Sequence, residues 1–161
     1  MNAAPRVVTI GETFSSTLEL SAESVKSFAT LVNDFNPLHH DDAYAAQSRF
    51  GGLIASGTQP TAYFMALLAT YFSTYAQPLG LEFDIKLKRA VHANDTLTIT
   101  WRVRDAYWKP SLNGDLTHLE GSVVNQRGDT MLIGTSTILV MPKPEPSANA
   151  KPSTNPDTSA P

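Results

Sequence analysis

An α+β fold, in which an antiparallel sheet wraps around one long central helix, is what this sequence predicts. Two observations carry that expectation. Residues 62–69, Ala-Tyr-Phe-Met-Ala-Leu-Leu-Ala, are apolar on nearly every side of a helix, and such a helix is buried on most sides rather than laid on a surface. The second half of the chain then reads as strands. Residues 81–88 and 96–104 alternate apolar and polar without interruption, the pattern of a strand with one buried and one wet face.

Taken in order, residues near Val7 to Ile10 and Thr17 to Leu20 are candidates for an edge strand. Ser21 is placed to cap a helix in which Glu23 occupies the first turn and Val25, Phe28, Ala29 and Val32 recur at helical spacing. That helix should fail at Asn33, because Asn36-Pro37 disfavours its continuation. A short helical turn is expected over residues 42–47, ended by Gly51-Gly52. The long helix runs from Gly57 to about Tyr75; Pro60 falls in its first turn, where the amides lack intrahelical acceptors anyway. Beyond the strands at 81–88 and 96–104, joined by a turn at Asn94-Asp95, two more are expected near residues 117–125 and 130–141. Arg127-Gly128-Asp129 turns between them. An antiparallel sheet curled around one helix is the simplest packing that buries the helix. It is the hot-dog fold.

One domain of this kind accounts for residues 1–142. Residues 143–161 are mostly Pro, Ser, Ala, Thr and Asn with no large apolar side chain, and are expected to be a disordered tail. The net charge of −3 gives no basic footprint for nucleic acid. With no cysteine, disulfides, thiolate metal sites and a cysteine nucleophile are excluded. The N-terminus lacks the apolar stretch of a signal peptide, and no apolar run approaches the ~20 residues that span a bilayer. The expectation is a soluble cytoplasmic protein.

The chemistry-bearing stretch is Asp34-Phe35-Asn36-Pro37-Leu38-His39, followed by Arg49-Phe50-Gly51-Gly52-Leu53-Ile54-Ala55-Ser56-Gly57. A carboxylate and an imidazole divided by Asn-Pro sit on a stiffened loop, where both can be aimed at one point. Together they could position one water and move its proton. Gly57 opens the long helix, whose free N–H groups and positive dipole end suit a developing oxyanion, and a glycine leaves the approach open.

These residues resemble the D-x-N-P-x-H hydratase signature and glycine-rich element of the MaoC-like family, which includes the (R)-specific enoyl-CoA hydratases. The similarity covers roughly residues 5–141, with a looser likeness over residues 90–97. It implies a hydro-lyase that reversibly hydrates a trans-2-enoyl thioester, on CoA or a carrier protein, to the (R)-3-hydroxyacyl thioester. On that reading Asp34 and His39 are the acid/base pair and the Gly57 N–H binds the thioester carbonyl. Asn36 and Ser56 complete the substrate side of the site, Asn36 mainly by holding the loop. No cofactor and no metal is implied, and a homodimer or higher homo-oligomer is expected. The chain departs from common family residues at Ser56 (histidine elsewhere), Met65 (serine) and Asn33 (glycine).

Other readings of the same residues are weaker. His39-His40-Asp41-Asp42 is too closely spaced for a metal site, and His40 and Asp41 are expected to face solvent or cap the short helix. Ser56 also suits an N-cap. Arg49 could meet a CoA phosphate, though a surface ion pair is the simpler expectation. Trp101, Tyr107 and Trp108 are packing residues. A hot-dog thioesterase would carry an acidic residue on the central helix, and residues 57–75 contain no Asp or Glu. The remaining alternative is a non-catalytic acyl-binding or assembly subunit, against which the retention of both Asp34 and His39 argues.

Overall fold

The computed structural model describes residues 6–144; the expected tail lies outside them beyond Pro144. The elements run β1 (Thr13–Glu19), α1 (Ala22–Leu31), α2 (Asp42–Gln47), α3 (Thr58–Ser73), β2 (Ala76–Leu87), β3 (Thr96–Lys109), β4 (Gly114–Asn125) and β5 (Thr130–Pro142). The strands form one antiparallel sheet in the order β1-β3-β4-β5-β2, with β1 and β2 at its edges. α3 packs on the inner face, which makes this the hot-dog arrangement.

The alternation on β3 works as expected. Leu97, Ile99, Trp101 and Val103 are buried against the helix, while Thr98, Thr100 and Arg102 point outward. Trp101 is the keystone. Its ring stacks on Phe64 of α3 with centroids 4.0 Å apart, and its indole N–H donates to the Phe64 carbonyl at 2.8 Å. Phe64, Leu68 and Phe72 are the buried stripe of α3, spaced four residues apart as one helix face requires.

Several expectations need correction. The long helix is not buried on most sides within one chain. Its second face, with Ala62, Tyr63, Met65, Ala66 and Ala69, is exposed, because the sheet covers only the Phe64 stripe. The edge strand spans Thr13–Glu19, and Val7 to Ile10 form no strand; instead the Val7 and Val8 amides donate to Asp115 Oδ2 at 2.7 and 2.9 Å. β2 begins five residues earlier than its alternation suggested, because the long β5 pairs with it back to Ala76, with a bulge between Gly80 and Glu82 that breaks the period.

The connection between β2 and β3 is also no hairpin. It crosses from the β2 edge of the sheet to β3, which lies next to the opposite edge strand. On the way it pairs with residues 53–55: Ala55 N–H donates to the Val91 carbonyl at 2.8 Å and Ala93 N–H to Leu53 at 2.9 Å. Asn94 there takes a left-handed φ of 69°, and Asp95 Oδ2 accepts from the His92 amide at 2.9 Å. This crossing holds the segment that leads into Gly57.

Gly121 marks the closest approach of sheet to core. A Cβ there would stand 2.7 Å from the Thr100 carbonyl oxygen and from the Trp101 ring. Gly121→Ala should therefore destabilise the fold by about 1–3 kcal/mol through overpacking. Urea denaturation would measure it, and an unchanged midpoint would contradict this packing.

Candidate active site

The site is built from the end of α1. Asn33 adopts φ 59°, so the helix closes with a left-handed residue: Asn33 N–H donates to Thr30 O at 3.1 Å and Asp34 N–H to Ala29 O at 2.8 Å. This is the Schellman closure. It explains why asparagine, the residue that best tolerates such a φ after glycine, stands here. The helix stops because of this cap, three residues before Asn36-Pro37.

The chain then winds around Asp34. Asn36 N–H donates to Asp34 Oδ1 at 3.3 Å, and the Asn36 side-chain oxygen accepts from Leu38 N–H at 3.1 Å. That bond caps a 3₁₀ turn over Pro37–His39, with Pro37 in its first position. The turn delivers His39 to a buried position. His39 Nδ1 lies 2.7 Å from the Ile54 carbonyl, an acceptor only, so Nδ1 carries the hydrogen. His39 Nε2 consequently presents a lone pair when the ring is neutral, and it faces Asp34 Oδ2 at 3.3 Å. Two acceptors at that separation call for a donor shared between them: a water held by both, or a proton on the imidazole.

His40 does not face solvent as expected. It folds back so that Nε2 meets the Asp34 backbone carbonyl at 2.7 Å, with its ring over Phe35. Asp41 does cap α2, accepting from the Tyr44 amide at 2.9 Å. The helix itself stops at Gln47, with Ser48 as its C-cap, so the Gly51-Gly52 pair lies beyond it. Ser56 is buried but is not the N-cap of α3. That position is Gly57, and the Ser56 hydroxyl bonds to Thr58 Oγ1 at 2.7 Å. The Gly57 N–H has no acceptor among the described residues. A Cβ on Gly57 would collide with Leu87 Cδ1 at 2.7 Å.

A cavity of about 340 Å³ touches His39, Phe50, Ile54, Gly57, Pro60 and Leu87. The imidazole and the first turn of α3 therefore open on one space. Asp34 is not in its wall and adjoins it through His39. A larger hollow of about 450 Å³ lies on the outer, polar face of the sheet, among Asp84, Lys86, Arg102 and Glu120. It touches neither Asp34, His39, Ser56 nor Gly57.

The Ser56 hydroxyl, then the Asn36 amide and the two imidazoles, hold the Asp34 carboxyl below its ordinary range, with partial desolvation opposing them. Asp34 is therefore ionised at neutral pH. Because the folded value lies below the unfolded one, its contribution to stability is present above about pH 4 and is lost as the pH falls through the folded value.

The fold is that of hot-dog hydratases and dehydratases. Residues 8–133 match the family described as the FAS1-like, dehydratase domain region, and the chain belongs to that family. Among solved structures it is similar to the R-hydratase PhaJ1 from Pseudomonas aeruginosa, at 25% identity and a TM-score of 0.73, covering 84% of each chain. It is similar also to the MaoC-like dehydratase from Rhodospirillum rubrum, at 25% identity and a TM-score of 0.72, covering 85% of this chain and 95% of that one. The fold is shared as well with the (R)-hydratase from A. caviae involved in PHA biosynthesis, at 24% identity and a TM-score of 0.73, over 83% and 98% of the two chains. No curated protein sequence matches the chain significantly. Among the described residues no helix is long and apolar enough to cross a membrane.

Sequence reasoning missed two contributors. His40 clamps the Asp34 turn, and Ile54 fixes the His39 tautomer through a backbone carbonyl. Adjacency to the motif could have flagged His40; a main-chain acceptor leaves no trace in residue type. A carbon-13 NMR titration of the Asp34 carboxyl should give a midpoint below 3.8. Ser56→Ala should move that midpoint upward, and an unmoved midpoint would remove Ser56 from the account.

Proposed function

We propose that the chain is a hydro-lyase that reversibly hydrates a trans-2-enoyl thioester, carried on CoA or a carrier protein, to the (R)-3-hydroxyacyl thioester. The single observation that carries this reading is His39 Nε2 facing the Asp34 carboxylate at 3.3 Å, with His39 and Gly57 lining one cavity. Water held by the pair attacks C3, forming the C3–O bond as one water O–H breaks. The proton is taken up by the pair and returned to C2, so both additions fall on the same face. Between these events negative charge gathers on the thioester oxygen, where the free Gly57 N–H at the positive end of α3 stabilises it. Asn36 and Ser56 support the site by ordering the loop and by holding Asp34 ionised. Dehydration is the same path reversed.

A second inference concerns assembly. α3 packs along β2, and both leave apolar surface open: Tyr63 and Met65 on the helix, Leu79, Leu81 and Leu87 on the strand. β2 is also an unpaired edge, the kind of strand that recruits another. A homodimer joined through this face covers the side chains and pairs the edge. It also brings Leu87, which walls the cavity, to the interface.

Purified protein should hydrate crotonyl-CoA or a longer enoyl-CoA, seen as loss of enone absorbance. Asp34→Asn and His39→Ala should each lower kcat about 10²–10⁴-fold while leaving the circular dichroism unchanged. Full activity in either variant would take that residue out of the mechanism. Sedimentation should report twice the chain mass, and Met65→Arg should shift it toward the monomer. A wild-type monomer would refute the assembly.

A further inference from the structure

We propose that the outer face of the sheet docks a second copy of this chain, with Arg102 and Arg104 of one copy meeting Asp84 and Glu82 of the other. The ladder registers place these residues. Arg102 pairs with Glu120, Glu120 with Thr135 and Thr135 with Asp84, so one row runs straight across from β3 to β2. The next row, through His118 and Thr137, ends on Glu82. Arg104 stands at its β3 end, in the bulge between Val103 and Asp105. All four charged side chains are exposed. Two adjoining hollows on this face, of about 450 and 230 Å³, share Asp84, Glu120 and Thr135, and between them take Arg102, Arg104 and Glu82 into their walls. The face therefore carries two cations along β3 and two carboxylates along β2, with β4 and β5 between them.

Within one chain this pattern is left uncompensated. Like charges two residues apart on one strand face repel each other. Of the four, Arg104 alone has an ion-pair partner among the described residues, Glu120 at 3.3 Å.

A two-fold axis lying in the face and parallel to the strands supplies the compensation. It keeps each row in place and exchanges the β3 side with the β2 side. Arg102 then stands over Asp84 of the second copy and Arg104 over Glu82, and symmetry makes each contact twice. Lys86, one row along β2, falls opposite Thr100 and meets no like charge. An axis across the strands would instead set arginine on arginine, so the charges select one orientation. β3 and β2 are three strand spacings apart, which puts each charge about 7 Å from the axis. The usual angle of about 30° between packed sheets displaces it by about 4 Å, a distance that an arginine side chain spans.

The floor between the charged rims bears the hydroxyls of Thr100, Ser122 and Thr135, which hold bridging water and need no dry contact. Such a contact is polar and is screened by salt. It lies on the side of the sheet away from α3, so it adds to an association through β2 and α3 without competing with it. None of its residues lines the cavity beside His39, and the hydration chemistry stands or falls separately.

Sedimentation velocity of the full-length protein at about 20 mM and about 0.5 M salt tests the contact. The mass found at high salt should at least double at low salt. Arg102→Glu with Arg104→Glu should abolish that increase, and so should Glu82→Lys with Asp84→Lys, each variant keeping the wild-type circular dichroism. An equimolar mixture of the two double variants should regain it, because the reversed β3 of one then faces the reversed β2 of the other. If a double variant does not fold, the single changes Arg102→Glu and Asp84→Lys provide the same complementation. A wild-type mass that ignores salt would overturn the proposal. So would an increase that survives either reversal, or a mixture that stays at the high-salt mass.

Discussion

The hydrogen bond from His39 Nδ1 to the Ile54 carbonyl, buried and 2.7 Å long, is the contact on which the site depends. It does two things at once. It settles which ring nitrogen carries the hydrogen, leaving the other free to meet Asp34. It also ties the loop after α1 to the segment that enters α3, two stretches that no helix or sheet ladder joins directly. The Ile54 amide reinforces the tie by donating to the Leu38 carbonyl at 3.2 Å. A buried imidazole nitrogen left without its partner would carry a desolvation cost as well.

That carbonyl is itself held. Residues 53–55 lie against residues 91–93 of the crossing between β2 and β3, through the Ala55–Val91 and Ala93–Leu53 bonds. The crossing in turn is anchored at Leu20, whose carbonyl accepts from the Asn94 amide and whose amide donates to Asp95. A chain of backbone bonds thus runs from the end of β1 through the crossing to the glycine-rich entry and on to His39. Up to Ile54 the path lies along main-chain atoms and so tolerates side-chain variation.

Much of this was legible in the residues. The α1 cap at Ser21, the residues spanned by α2 and the turn at Arg127-Gly128-Asp129 follow from local chemistry that reads the same in any context. Asp34, Asn36 and His39 announce themselves by type and spacing. What could not be read depends on non-local pairing. Leu53-Ile54-Ala55 is too short to signal a paired segment, and strand order is set by the crossing, not by the turn residues at its end. The early start of β2 reflects the length of β5. The half-open state of α3 was misread because apolarity on all sides implies cover without saying whether one chain supplies all of it.

The indole of Trp101 hydrogen-bonds the carbonyl of Phe64 in the middle of α3, and this has a bearing far from that point. A packed helix can slide along its own axis, and a shift of one residue is about 1.5 Å. Side-chain stacking alone resists such travel weakly, because apolar contacts are non-directional. The indole bond is directional and points at one rung. It acts as an axial stop, so the distance between the helix's leading amide and the imidazole across the cavity is set two turns downstream, by a tryptophan on the opposing sheet.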